Sequence, residues 1–119
     1  MDFIDRVAEA LRTVLLDLAT LASPPTGFTV TRIDGNVYIE QSGDINGGDE
    51  LDDRHGAVQL LVDVADAVQA YVSWGAGDEV WPVCPLHGFG LHPEVVNSSA
   101  QWICRPHNHT VARIGHLSS

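Results

Sequence analysis

No lysine occurs in this chain of 119 residues; its only permanent cations are arginines, and sixteen carboxylates outnumber them to a net charge of −10. A surface this negative repels phosphate backbones, so generic nucleic-acid binding is disfavoured, requiring Arg105 and Arg113 to form a patch, and the charge fits a solubilising surface, a basic protein partner or a cation. The missing lysine is read as the composition of a short, Arg-preferring chain rather than as a functional device. Long apolar runs are missing too: nothing approaches the roughly 18 uninterrupted apolar residues that a membrane span requires. The opening segment, Met1-Asp2-Phe3-Ile4-Asp5-Arg6, is acidic and amphipathic. It has neither a basic n-region nor a cleavage site, so no signal peptide is read and the expected location is cytoplasmic. Also absent are a Gly-rich phosphate loop and a nucleophile elbow, which removes the commonest sequence signs of an enzyme.

Cysteine is scarce, with only Cys84 and Cys104. Without an export signal a disulfide between them is disfavoured, and paired Cys and His residues point to metal. What is abundant is ordinary apolar material: 45% hydrophobic and 18% charged residues describe a chain that folds around a core.

Residues 2–22 read as an amphipathic helix. Phe3, Ile4, Val7, Ala8, Leu11, Val14, Leu15, Leu18 and Ala19 recur at helical spacing, while Asp5, Arg6, Glu9, Arg12, Asp17 and Thr20 fill the other face. Asp2 suits the N-cap, and Ser23-Pro24-Pro25 ends the helix. A hairpin follows, Phe28–Ile33 and Asn36–Gln41, closed by Asp34-Gly35 in a type I′ turn. Pairing outward from the turn sets Arg32 opposite Val37, Val30 opposite Ile39 and Phe28 opposite Gln41. Phe28, Val30, Val37 and Ile39 then share the face on which both helices are expected to pack.

Residues 42–54 are glycine- and acid-rich. Asp44 and Asn46 fit the start of a calcium loop, but Gly48 and Asp49 break the pattern. A solvated loop leading to a helix N-cap at Asp52 or Asp53 is expected instead. The second helix is placed at 55–74, burying Ala57, Leu61, Val64, Ala65, Val68, Tyr71 and Val72, with Gln59, Asp63, Asp66 and Gln69 outward and Gly75 as its C′ residue. Gly75-Ala76-Gly77 marks a boundary between a helix–hairpin–helix part, 1–75, and a tail, 76–119, that together form one compact unit.

The tail carries the chemistry. Cys84-Pro85-Leu86-His87 and Cys104-Arg105-Pro106-His107 repeat one spacing with 16 residues between them. In a Cys-x-x-His turn both side chains bend toward one point while backbone N–H groups stabilise the thiolate. Two such turns make a closed tetrahedral shell of Cys84, His87, Cys104 and His107, and zinc accepts that mixed donor set without redox chemistry. His109, two residues beyond His107, and His92, in Leu91-His92-Pro93, are alternative fourth ligands. His55 and His116 are read as surface residues. The competing readings are independent structural roles for these residues or a Cys84–Cys104 disulfide. A Rieske cluster is disfavoured because both boxes are Cys-x-x-His rather than one Cys-x-His. The contiguous His107-Asn108-His109 is not the dispersed residue set of the nuclease class it spells. Strands are expected near 79–83, 100–104 and 110–114, with Trp74, Trp81 and Trp102 as core.

Trp81-Pro82-Val83-Cys84-Pro85-Leu86-His87, Leu91-His92-Pro93, Trp102-Ile103-Cys104 and Val111-Ala112-Arg113-Ile114-Gly115 resemble a group of small actinobacterial proteins. These share a zinc-ribbon-like tail of the form Trp-Pro-x-Cys-Pro-x-His, then Trp-x-Cys, then Val-Ala-x-Ile-Gly. The resemblance covers about 40 residues. It implies a zinc-bound module and no particular activity. The fold expected is therefore α+β: helix–β-hairpin–helix, then a small zinc-ribbon-like β segment. The function expected is a non-enzymatic, zinc-stabilised binding or adaptor module. The alternative is a zinc-dependent hydrolase with three protein ligands and water in the fourth position; Asp78, Glu79 and Glu94 are its nearest carboxylates in sequence.

Overall fold

In the computed structural model, Asp2 starts the first helix as the sequence predicts: its carboxylate accepts the Phe3 N–H at 2.9 Å, and α1 runs Phe3–Leu18. The structure describes residues 2–42, 50–74 and 80–117, with residues 73 and 74 as backbone only. Several expectations fall outside those residues: the calcium-like positions Asp44, Asn46, Gly48 and Asp49, the Trp74 side chain, the Gly75-Ala76-Gly77 boundary, and Asp78 and Glu79.

The element order is α1, β1 (Phe28–Ile33), β2 (Asn36–Gln41), α2 (Ala57–Trp74), β3 (His92–Val96), β4 (Ser99–Cys104) and β5 (His109–Arg113). This is a small mixed α+β fold with two helices and two antiparallel sheets, one ordered β1-β2 and the other β3-β4-β5. No described helix is long and apolar enough to cross a membrane. The β1–β2 register is the predicted one, with Arg32 opposite Val37, Val30 opposite Ile39 and Phe28 opposite Gln41. Its turn has positive φ at both Asp34 (51°) and Gly35 (83°), as a two-residue I′ loop requires.

Helix α2 is central. It packs against α1 and β2 on one side and against β3 and β4 on another, so its burial is wider than a single stripe. Val64, Ala65, Val68, Tyr71 and Val72 are buried as expected, but so are Leu60, Val62 and Ala67. Ala57, expected inside, is exposed at the helix start. Tyr71 ties α2 to the hairpin: its hydroxyl donates to the Ile39 carbonyl at 2.9 Å, and its ring meets Phe28 edge-on at 5.8 Å. Gln69, expected to face solvent, is half-buried and donates to the carbonyls of Trp81 (3.1 Å) and Leu91 (2.6 Å). It thereby fastens the tail to the helix.

The expected cap at Asp52 or Asp53 is also corrected. The helix begins at Ala57, and Leu60 N–H donates to the carbonyl of Gly56. Asp52 closes a turn of its own, accepting from the Arg54 backbone (2.9 Å) and from its guanidinium (3.0 and 2.8 Å). Those contacts hold the Asp52 carboxyl well below the usual carboxylate range.

The expected strand near 79–83 is reduced, among its described residues, to a single bridge between Val83 and Gly90. Strand β3 was not anticipated, because a proline inside a run argues against a strand. Pro93 is tolerated because β3 lies at the edge of its sheet. Asn97 (φ 51°) and Ser98 (φ 65°) make the tight turn to β4. Trp102, on β4, is fully buried and meets Trp81 edge-on at 5.5 Å, so both tryptophans belong to the core.

The largest correction concerns Asp17. Assigned by periodicity to the polar face, it is fully buried. Its carboxylate accepts from the Trp102 indole (Nε1, 2.8 Å), from Gly115 N–H (2.6 Å) and from Leu117 N–H (2.9 Å). Nearby, Gly115 has φ +98°, and a Cβ there would stand 2.6 Å from Thr13 Cγ2. The tail is thus pressed against α1 at a point that only glycine fits.

Asp17→Leu should lose about 3–5 kcal/mol of stability, since it strands three donors that one buried carboxylate had satisfied. Asp17→Asn should lose less, because the amide keeps one acceptor oxygen. Urea midpoints, read by tryptophan fluorescence, check both; equal losses would contradict the account. Gly115→Ala should cost about 1–3 kcal/mol. Adding Thr13→Ser should restore part of that cost, because it removes the clashing methyl but not the backbone strain.

Candidate metal centre

Two turns place their side chains at one spot. In the first, Cys84 N–H donates to the Phe89 carbonyl at 2.8 Å and Gly88 N–H donates to the Cys84 carbonyl at 2.9 Å. Gly88 takes φ +76°, which lets the chain reverse directly after His87. The second turn begins where β4 ends. Cys104 is its last residue, a single 3-10 turn spans Arg105–His107, and Asn108 N–H donates to the Arg105 carbonyl at 3.1 Å. Asn108 sits in the left-handed region (φ 49°), which asparagine tolerates better than most residues. The two turns therefore share a plan: Cys, two spacers, His, then a residue with positive φ.

Backbone N–H groups serve the sulfurs. Burial by itself pushes the Cys84 thiol up, but the N–H groups of Leu86 and His87 and the Cys104 thiol outweigh it, and the net direction is down. Cys104 moves the other way. Burial and the neighbouring Cys84 sulfur raise it, and the His107 N–H compensates only in part. His87 is exposed, yet it is pushed below the ordinary imidazole range, first by partial desolvation of its ring, then by His107 and His109. It therefore keeps a lone pair at neutral pH, as a metal ligand must.

The ligand atoms of Cys84, His87 and His109 all lie within 4.8 Å of one another and could hold a metal ion. Cys84 Sγ is 3.3 Å from His87 Nδ1 and 3.9 Å from His109 Nδ1. Cys104 Sγ is outside that group of three but only 3.6 Å from His87 Nδ1. Of the four residues given by the repeated spacing, Cys84, His87 and Cys104 come together. His107 is beside them in a different role: its ring stacks on His87 with centroids 3.7 Å apart and planes 13° from parallel. The reason is register. His109 pairs directly with Cys104 across β4 and β5, so its side chain leaves the sheet on the same face as that of Cys104 and meets Cys84 Sγ. His107 lies in the 3-10 turn and is carried past that face.

The other histidines are elsewhere. His92 pairs with Ile103 on β3 and is not in the donor group. His55 is not a free surface residue, since its Nδ1 lies 2.6 Å from Asp63 Oδ2. Glu94, the described carboxylate nearest in sequence, accepts from Arg105 Nε at 2.8 Å and adds no ligand to the group. The cysteines are free thiols and both are buried. No family model matches the chain, and comparisons with curated proteins and with solved structures found no match either.

The depressed His87 sets a pH dependence for the metal-free protein. An unfolded His87 takes its proton near 6.5, while the folded one takes it only at lower pH. As pH falls through 6.5 the unfolded state binds the extra proton first, so stability drops with acidification until the folded value is passed. Urea midpoints of metal-free wild type and His87→Gln, compared below neutral pH, should show a shallower slope for the variant. Parallel curves would remove His87 as the source.

Proposed function

We propose that the chain is a non-enzymatic binding module whose tail is organised by one structural zinc ion, held by Cys84, His87, Cys104 and His109. The observation that carries this reading is the spacing of the donors. Atoms bound at zinc's usual S and N distances and at the tetrahedral angle stand about 3.6 Å apart. Three of the four sulfur-to-nitrogen separations among these residues are 3.3, 3.6 and 3.9 Å; Cys104, outside the mutually close group of three, would move in slightly to complete the shell. Two thiols and two imidazoles also suit zinc better than a hard cation, which would want oxygen ligands. In this reading His109 takes the place that spacing gave to His107, and the two Cys-x-x-His turns on adjacent hairpins form the zinc-ribbon-like segment. A bound zinc would link the 84–87 turn to the end of β4 and supply folding free energy directly.

The same arrangement speaks against the hydrolase alternative. That reading is favoured by the close group of three donors, which would leave a fourth position for water. A catalytic water needs a base, however, and among the described residues the carboxylate nearest in sequence, Glu94, is engaged by Arg105. Cys104, with Sγ 3.6 Å from His87 Nδ1, is the residue proposed to take the fourth position. The net charge of −10 fits a basic protein partner for the acidic part of the surface. The likeness of the tail to the small actinobacterial zinc-ribbon proteins agrees with a module of this kind.

Native mass spectrometry with metal analysis tests the reading. One zinc per chain is expected in the wild type, lost or sharply weakened in Cys84→Ser, His87→Ala, Cys104→Ser and His109→Ala. His92→Ala should retain it, and His107→Ala should retain it with reduced affinity, since His107 supports the His87 ring. Freshly reduced protein without metal would overturn the proposal. Retention of zinc in Cys104→Ser with a bound water would replace it with the open, three-ligand site.

A further inference from the structure

Charge is divided unevenly along the chain. Fifteen of the sixteen acidic residues lie in 1–79, whereas 80–117 carries one acid, Glu94, and two arginines, Arg105 and Arg113. Apolar exposure is uneven in the opposite sense. Leu86 is 74% exposed, the highest value among the exposed large hydrophobic side chains, and Val80, Val83 and Phe89 are exposed with it. All four belong to the segment around the first Cys-x-x-His turn. Beside them opens a cavity of about 520 Å³, walled by Val80, Trp81, Pro82, Val83, Val111 and Leu117 among others, with no acidic residue in its lining. Pro85 is on its rim, and Leu86 is the next residue, at the apex of the turn. A second opening, against the N-terminus of α1, is lined by Glu50, Asp52 and Asp53, so an acid-free wall is not general to this surface.

We propose that the chain self-associates as a twofold dimer through this face, Leu86 of each copy entering the cavity beside the 84–87 turn of the other. A knob and a hole side by side on one surface are what an isologous contact needs, since under a twofold axis each residue meets its counterpart's neighbour reciprocally. The self-complementary pair of knob and hole points to a second copy as the occupant, and electrostatics permits it. Two chains of net charge −10 repel one another over most approaches, but the tail, 76–119, carries only three of the sixteen acids, against two arginines, and so repels least. An apolar contact there also covers side chains that otherwise stay in water. The acidic remainder is left free for the basic partner proposed above. The proposal rests on the zinc reading to the extent that the metal holds the 84–87 turn in shape.

Native mass spectrometry and sedimentation of the zinc-loaded protein, followed across protein concentration, test this. The wild type should dimerise in the micromolar range, more tightly as salt screens the acidic bodies. Leu86→Glu should weaken the dimer by about 30-fold or more, the effect of a hot-spot residue, while keeping its zinc. Val83→Glu should act likewise from the wall of the hole. Ile33→Glu, at an exposed isoleucine of the β1–β2 hairpin, none of whose residues lines the cavity, should leave the dimer unchanged. A monomeric wild type with zinc bound, or a dimer indifferent to Leu86→Glu, overturns the proposal and leaves the metal site standing. A wild type that binds no zinc yet still forms a Leu86-dependent dimer sinks the metal reading and keeps this one.

Discussion

A single carboxylate, Asp17, gathers the indole N–H of Trp102 and the backbone N–H groups of Gly115 and Leu117, and it does so with no exposure to solvent. The three donors come from residues 85 to 100 positions away in sequence, so this contact joins the N-terminal helix to β4 and the C-terminal turn. It is also locally unfavourable. Asp17 lies in the last turn of α1, where the helix dipole disfavours a negative charge, and no basic residue stands in that turn. A local choice that contradicts its own helix usually answers a tertiary demand. Here the demand is for an acceptor to three donors that the fold buries around it. The side chain that fills the core against it, Trp102, also positions β4, whose final residue is Cys104.

The candidate metal centre inherits its order from that frame. Gln69 holds the carbonyls of Trp81 and Leu91, on either side of the first Cys-x-x-His turn, against α2. Trp81 and Trp102 meet edge-on and bring the two turns to the same level. The thiols are then buried and served by backbone N–H groups. Burial alone makes thiolates costly, and the N–H groups of the turns oppose that cost, wholly at Cys84 and in part at Cys104. A cation bound between them would relieve the remainder. The core, the buried carboxylate and the donor cluster are thus parts of one assembly, since the hydrophobic cluster runs from Val7 on α1 to Ile114 after β5.

How much of this could be read from residues alone varies with the range of the interaction. The β1–β2 hairpin was legible to the residue because alternation and an Asp-Gly turn are local and reinforce each other. Both helices were legible as elements, with ends that moved: α1 stops at Leu18, before the prolines, and α2 starts at Ala57 rather than at an aspartate cap. Strand β3 was hidden because Pro93 argues against a strand unless one knows that it lies at a sheet edge, which is a tertiary fact. Asp17 and Gln69 were misplaced because periodicity assigns polar residues to solvent and cannot see donors and acceptors brought from the other end of the chain. The acid in the last turn of α1 was the available clue.

The sequence by itself determined the chemistry on offer: two cysteines and a cluster of histidines in one short stretch, at a repeated Cys-x-x-His spacing, in a chain of net charge −10. Spacing within a turn is local, so Cys84 and His87 could be paired without coordinates. Only the tertiary structure decided which histidine of the second turn faces the sulfurs. His107 and His109 are two residues apart and equivalent by spacing, but the β4–β5 register sets His109 opposite Cys104, while the 3-10 turn lays His107 on the His87 ring. Register depends on the packing of the whole sheet against α2, and no short-range rule contains that information.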